Sequence, residues 1–209
     1  MADLAIRLHR PDVLRSLGYP RAAGPAAHVE KRLSELWEMA VALLSPRGSW
    51  RIIRGTQAAN VGMKNPSENV GIGLVTIGAA LEEEVRKRGE EDRPLDALIL
   101  DAIGSVAAES AADALNSELC GEARRRGLHA APRVSPGYGY WDLNHQAGLL
   151  ALLPTEELEV HLTSGMMMVP RKSVSFALNF VMVAPSGRDP ASKCARCGLA
   201  SCLYRERLP

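Results

Sequence analysis

Apolar residues recur at three- and four-residue steps through residues 27–44, where Val29, Leu33, Leu36, Ala40 and Leu43 make one stripe. That spacing predicts a helix, stopped by Pro46 and Gly48. A shorter helix is predicted over 11–18, ended by Gly18 with Pro20 just beyond, and a Gly/Ala/Pro stretch at 20–27 links the two. Residues 50–56 and 70–77 read as strands, with 57–69, rich in Asn, Gly and Pro, as a loop between them. Residues 79–88 are helical in pattern, with Glu82, Glu83 and Glu84 near the start and Arg86 and Arg88 near the end, as the helix dipole favours. The apolar run 95–100 fits either a buried strand or the first turn of a long helix over 102–126. That helix begins with Gly104, Ser105, Ala107, Ala108, Ser110, Ala111 and Ala112, side chains small enough to let another backbone approach. Residues 130–140 carry too much Gly and Pro for regular structure, and Asp142 is placed to N-cap a helix reaching Leu153. Residues 157–162 and 173–183 alternate as strands. In the second, Val174, Phe176, Leu178, Phe180 and Met182 share one face, and Ser173, Ser175 and Asn179 the other.

Helices and strands in this order, without regular βαβ alternation and without a Gly-rich phosphate loop after a strand, predict an α+β domain around a largely antiparallel sheet. One such domain is expected over 1–185, followed by a C-terminal tail, 186–209. With 46% hydrophobic and 23% charged residues the chain has enough apolar material for a real core, built mostly from aliphatic side chains because aromatics make up 4%. A formal net charge of +1 supplies no global attraction for nucleic acid or an anionic membrane. The longest apolar window, 71–81, is too short to span a bilayer, and the first twenty residues lack a signal-peptide core. A soluble, cytoplasmic protein is the expectation.

Two segments carry candidate binding chemistry. In Arg133-Val-Ser-Pro-Gly-Tyr-Gly139 a permanent cation sits beside a constrained loop of backbone amides, which suits capture of a carboxylate. Gly137 and Gly139 would admit a ligand close to the main chain, Ser135 adds a hydroxyl, and Tyr138 offers a ring face and a hydroxyl. The bland alternative is a surface turn with an exposed arginine. The second segment runs from Leu162-Thr-Ser-Gly through three methionines and Pro170 to Ser173-Val-Ser175. There Thr163, Ser164 and Ser173 are candidate ligand contacts, while Met166, Met167 and Met168 either line an adaptable wall or fill core gaps.

In this order and at this separation the two segments resemble the activation domain of cobalamin-dependent methionine synthase. Arg133 with Gly137 and Tyr138 matches that family's Arg followed by a Gly-Tyr pair. Leu162 and Thr163, then Met168, Pro170, Ser173, Val174 and Ser175, match its Leu-Thr strand end and Met-x-Pro-x-x-Ser-Val-Ser run. The likeness is best over 130–180 and looser over 95–125. It implies a bent antiparallel sheet flanked by helices, an S-adenosylmethionine site with Arg133 on the methionine carboxylate, and an acidic contact for the ligand amine at Glu109, Asp113 or Glu118. It also implies a function: a stand-alone module supporting reductive remethylation of cob(II)alamin on a separate corrinoid methyltransferase, with an outside electron donor. Where the family has a glutamate and a tyrosine after the Leu-Thr pair, this chain has Ser164 and Met166. A docking module that no longer uses S-adenosylmethionine is therefore a second reading.

Cys194, Cys197 and Cys202 follow a C-x2-C-x4-C spacing, which suits Zn²⁺ or an iron–sulfur cluster, with Cys120, His145 or an outside group as fourth ligand. A structural clasp, an electron-transfer centre and unligated thiols are the three readings of that tail. No catalytic residue is assigned, since the chain has no G-x-S-x-G or H-E-x-x-H motif and Cys120 has no adjacent histidine.

Overall fold

The computed structural model describes residues 2–19 and 24–183. The cysteines at 194, 197 and 202, and the boundary expected at 185, lie outside the described residues. Two compact units are present. Among the described residues, the first comprises 2–6, 45–79 and 108–183, and the second 7–19, 24–44 and 80–107.

The first unit is built on a five-stranded antiparallel sheet of order β1-β2-β3-β7-β4. Its strands are β1 (Ala2–Asp3), β2 (Arg47–Arg54), β3 (Asn69–Thr76), β4 (His129–Ala130) and β7 (Ser173–Val181). β5 (His161–Leu162) and β6 (Met168–Val169) pair separately as a small hairpin. β3 is the centre of the sheet, with Trp50 opposite Gly73 and Ile52 opposite Gly71 on one side and Phe176 opposite Gly73 on the other. The glycines answer to the helix above them. A Cβ on Gly73 would stand 2.8 Å from the Phe176 ring and 2.9 Å from Leu115, and one on Gly71 2.9 Å from Leu119. Side chains there would lift the second half of α5 (Pro94–Arg125) off the strand.

The opposite face of the sheet is covered as well. Ile53, Val70, Ile72, Leu74 and Ala177 pack with Trp141, Leu149, Leu150, Leu153, Leu158 and Val160 in one apolar cluster. Covering both faces explains why β3 reads as an almost unbroken apolar run rather than an alternating one. Two of the polar side chains inside, Thr76 and Ser173, satisfy one another and nearby backbone. The Ser173 hydroxyl is 2.7 Å from the Pro170 carbonyl oxygen and 3.0 Å from the Thr76 hydroxyl, which in turn accepts from the Gly78 amide at 3.1 Å.

The second unit is helical: α1 (Arg10–Ser16), α2 (Ala27–Ala42), α4 (Ala80–Glu90) and the first part of α5. The stripe expected on α2 is buried at Val29, Leu33, Leu36 and Ala40. Asp96, with a side chain only 5% exposed, accepts from Arg32 through both Nε and Nη2 and is paired with Arg93 at 2.7 Å and Arg88 at 3.7 Å. One carboxylate thereby ties α2, α4 and α5 together.

Three expectations need correction, and one open alternative is resolved. The loop expected over 57–69 begins with a helix, α3 (Gly55–Asn60), whose first turn is closed when Gln57 accepts from the Arg54 amide at 3.1 Å. The run 95–100 is helix, because α5 starts at Pro94 and Asp96 supplies its first-turn acid. The helix expected from 142 to 153 is a 3-10 turn (Leu143–His145) followed by α6 (Gln146–Leu150), with Asp142 capping at 2.8 Å from the Asn144 amide. Of the strand expected at 157–162, only His161 and Leu162 pair; Leu158 and Val160 are buried by cluster packing from turns instead.

Candidate functional site

Arg133 enters the site through one backbone bridge. Val134 exchanges both amide–carbonyl hydrogen bonds with Ala177 of β7, each 2.8 Å, and its side chain joins the apolar cluster. Successive side chains of an extended segment point to opposite faces, so Arg133 is turned to the face that α5 covers. There its guanidinium lies 5.6 Å from the centre of the Phe176 ring. Nη2 donates to Glu109 Oε2 at 2.7 Å, and Nη1 is 3.2 Å from Asp113 Oδ1. Nη1 is buried and makes no aligned hydrogen bond, so the ion pair with Asp113 leaves a donor unspent. The arginine side chain is 15% exposed, whereas those of Glu109 and Asp113 are 58% and 55% exposed. A mostly buried cation is thus partnered by acids that face water.

Glu109 and Asp113 are one helical step of four apart and share a face of α5, while Glu118 is five beyond Asp113 and points elsewhere. Glu118 instead accepts from Trp50 Nε1 at 3.1 Å. Of the three acids named for the amine contact, the structure brings Glu109 and Asp113 to Arg133 and sends Glu118 to β2.

The loop after Arg133 is a closed turn. Tyr138 N–H donates to the Ser135 carbonyl, Gly137 N–H to the Trp141 carbonyl at 2.7 Å, and Trp141 N–H to the Tyr138 carbonyl. Gly137 and Gly139 have φ of +88° and +59°, a region that favours glycine. Between them Tyr138 is 77% exposed, with its ring held out from the loop. The turn is rooted by Trp141, which is buried and donates from Nε1 to the Val61 carbonyl at 2.8 Å. Tyr140 is half exposed and carries Lys64 5.4 Å from its ring centre.

Thr163 and Ser164 lie in the turn that joins β5 to β6, both exposed. Thr163 exchanges backbone contacts with Met167 and Met166, and its hydroxyl accepts from the Met167 amide at 3.1 Å. Leu162 and Met168, at the base, pack on the same cluster as Val134 and Trp141, so both candidate segments grow from one core. Gln146, which the sequence did not single out, fastens this turn. It is buried, donates to the Met166 carbonyl at 2.8 Å and lies 3.5 Å from the Ser175 hydroxyl. Ser173 is not at the surface with the others but in the interior contacts with Pro170 and Thr76.

Among the described residues no three His, Cys, Asp or Glu side chains are grouped to hold a metal. Cys120 is partly buried on α5, and burial pushes its thiol pKa up, away from the thiolate a metal needs. No described helix is long and apolar enough to cross a membrane.

No protein-family model matches this chain, and no curated protein does. Among solved structures, the crystal structure of the MetH reactivation domain bound to AdoHcy is similar to it. The match has a TM-score of 0.56 over 84% of this chain and 70% of that one, at 16% identity. At that identity the likeness is one of fold. It bears out the α+β architecture with an antiparallel sheet flanked by helices that the sequence predicted.

Proposed function

We propose that this chain binds S-adenosylmethionine, and its demethylated form S-adenosylhomocysteine, through the amino-acid end at Arg133, Glu109 and Asp113. The observation that carries the reading is the asymmetry of that cluster: a guanidinium largely removed from water, with an unspent donor, opposite two exposed carboxylates. A free α-carboxylate can take the arginine while the α-ammonium takes an acid that the arginine releases, so both ligand charges replace partners already present. The donor set fits an amino-acid zwitterion. The likeness to a domain whose crystal structure holds AdoHcy supports the choice of ligand. Ser135, Gly137, Tyr138 and Gly139 stand next along the chain and would flank the rest of the molecule.

The role that follows is that of a reactivation module. S-adenosylmethionine supplies a methyl group, a separate corrinoid protein the cobalt that receives it, and an external donor the electron. In this scheme the chain binds and orients the ligand. A second reading, a docking module without the ligand, is favoured by one observation. The turn residue that replaces the family's tyrosine, Met166, has φ of +61° and a carbonyl already occupied by Gln146. Titration calorimetry with S-adenosylhomocysteine separates the two: saturable heat that Arg133→Ala abolishes supports the first, and no heat with either protein supports the second.

A further inference from the structure

β2 is eight residues long, yet its outer neighbour β1 pairs only with Arg47 and Gly48. Among the described residues no strand pairs with residues 49–54 on that side, and apart from the Arg54 amide, which Gln57 occupies, this leaves an open edge about as long as a typical strand. Beside it runs a groove of about 330 Å³, walled by Ser49 and Arg51 of the strand and by Ala151, Leu152, Leu153 and Pro154 after α6. All of these belong to the first unit.

The three arginines of β2 are treated differently. Arg47 is paired with Glu159 at 2.6 Å and Arg54 with Glu68 at 2.8 Å. Arg51, exposed between them and lining the groove, donates only to the Leu152 carbonyl at 3.0 Å and has no carboxylate partner among the described residues. A cation left unneutralised at the middle of an open strand edge defines what can lie there. A second copy added antiparallel across the same edge would bring arginine-rich strands together, and like charges placed opposite each other disfavour that pairing. An extended segment bearing a carboxylate meets both requirements, with main-chain hydrogen bonds for the edge and a charge for Arg51.

We propose that the β2 edge at residues 49–54 is a docking site for an extended acidic segment of a partner protein, added as a strand with an Asp or Glu side chain on Arg51. This site is independent of Arg133 and of the ligand proposed there. The probe is a phage-displayed library of random linear octapeptides selected on the full chain, followed by synthesis of the enriched peptides. The expected outcome is enrichment of Asp and Glu among β-forming residues, with bound peptide slowing hydrogen exchange at 49–54. Arg51→Glu should weaken the acidic peptides about fivefold or more and shift selection to Lys and Arg, whereas Arg51→Lys should keep the acidic preference. Arg51 is exposed, so both variants are expected to fold, and unchanged circular dichroism checks it. The proposal is overturned if no enriched peptide protects 49–54, or if Arg51→Glu leaves selection unchanged. Sedimentation showing a dimer whose formation protects that edge would also overturn it, by assigning the edge to a second copy.

Discussion

Two arginine–carboxylate clusters, one in each unit, use the same side chains to opposite ends. Around Asp96 the acid is the buried member, and three arginines close on it, from α2, from α4 and from the turn before α5. Its carboxyl is held below the usual aspartate range, first by the Arg32 hydrogen bonds and then by the charges of Arg32, Arg93 and Arg88, against the opposing cost of burial. Around Arg133 the base is the buried member and the acids are exposed. A closed cluster has nothing to exchange and can only hold elements together, whereas an open one can trade its exposed partners for a ligand's charges. If the proposed function holds, the member that is buried, more than the number of ion pairs, separates the knot at Asp96 from the site at Arg133.

The largest test of this contrast is Asp96→Asn. Three arginines would lose a buried partner, and stability in urea unfolding should fall by about 3 kcal/mol. Because the native carboxyl titrates below its unfolded value, that contribution is complete above about pH 4. It should fade as pH falls toward the native value, so wild type and variant converge in acid. Second, Arg133→Ala should lower S-adenosylhomocysteine affinity by about thirtyfold, roughly 2 kcal/mol for a charged hydrogen-bonded contact. Its urea midpoint should move less than that of Asp96→Asn, and equal midpoint losses would erase the contrast. Third, Glu109→Gln and Asp113→Asn should each weaken the same ligand by about three- to tenfold in calorimetry, since each removes one of two exposed acids. Last, Glu118→Gln should leave that affinity within about twofold of wild type. A larger loss would restore Glu118 to the site despite its bond to Trp50.

Much of the architecture is legible in the sequence. The stripe on α2, the β3 run and the alternating β7 each had a period that matched its element. α3 was not legible, because its start depends on a side-chain contact from Gln57 rather than on apolar period. Leu158 and Val160 alternated like a strand, yet they are buried by neighbours from other segments without a pairing partner. At the site, Arg133 and the Gly137–Gly139 turn were marked by residue type alone. Gln146 was not, since a glutamine in a short helix carries no signal until Met166 and Ser175 are brought beside it.

The sequence by itself determined the α+β class, the strands and helices with clear period, the special turn at Gly137 and Gly139, and the arginine beside it. It left three acids equivalent on one helix, because helical spacing ranks faces but does not say which face another segment will meet. Only the tertiary structure decided that. The Val134–Ala177 bridge sets the register of a residue far along the chain against β7, and this register turns Arg133 toward Phe176, Glu109 and Asp113. Local propensity acts between neighbours in sequence, whereas a charge cluster needs groups 20 to 24 positions apart to arrive at one place, and only packing of the folded chain supplies that.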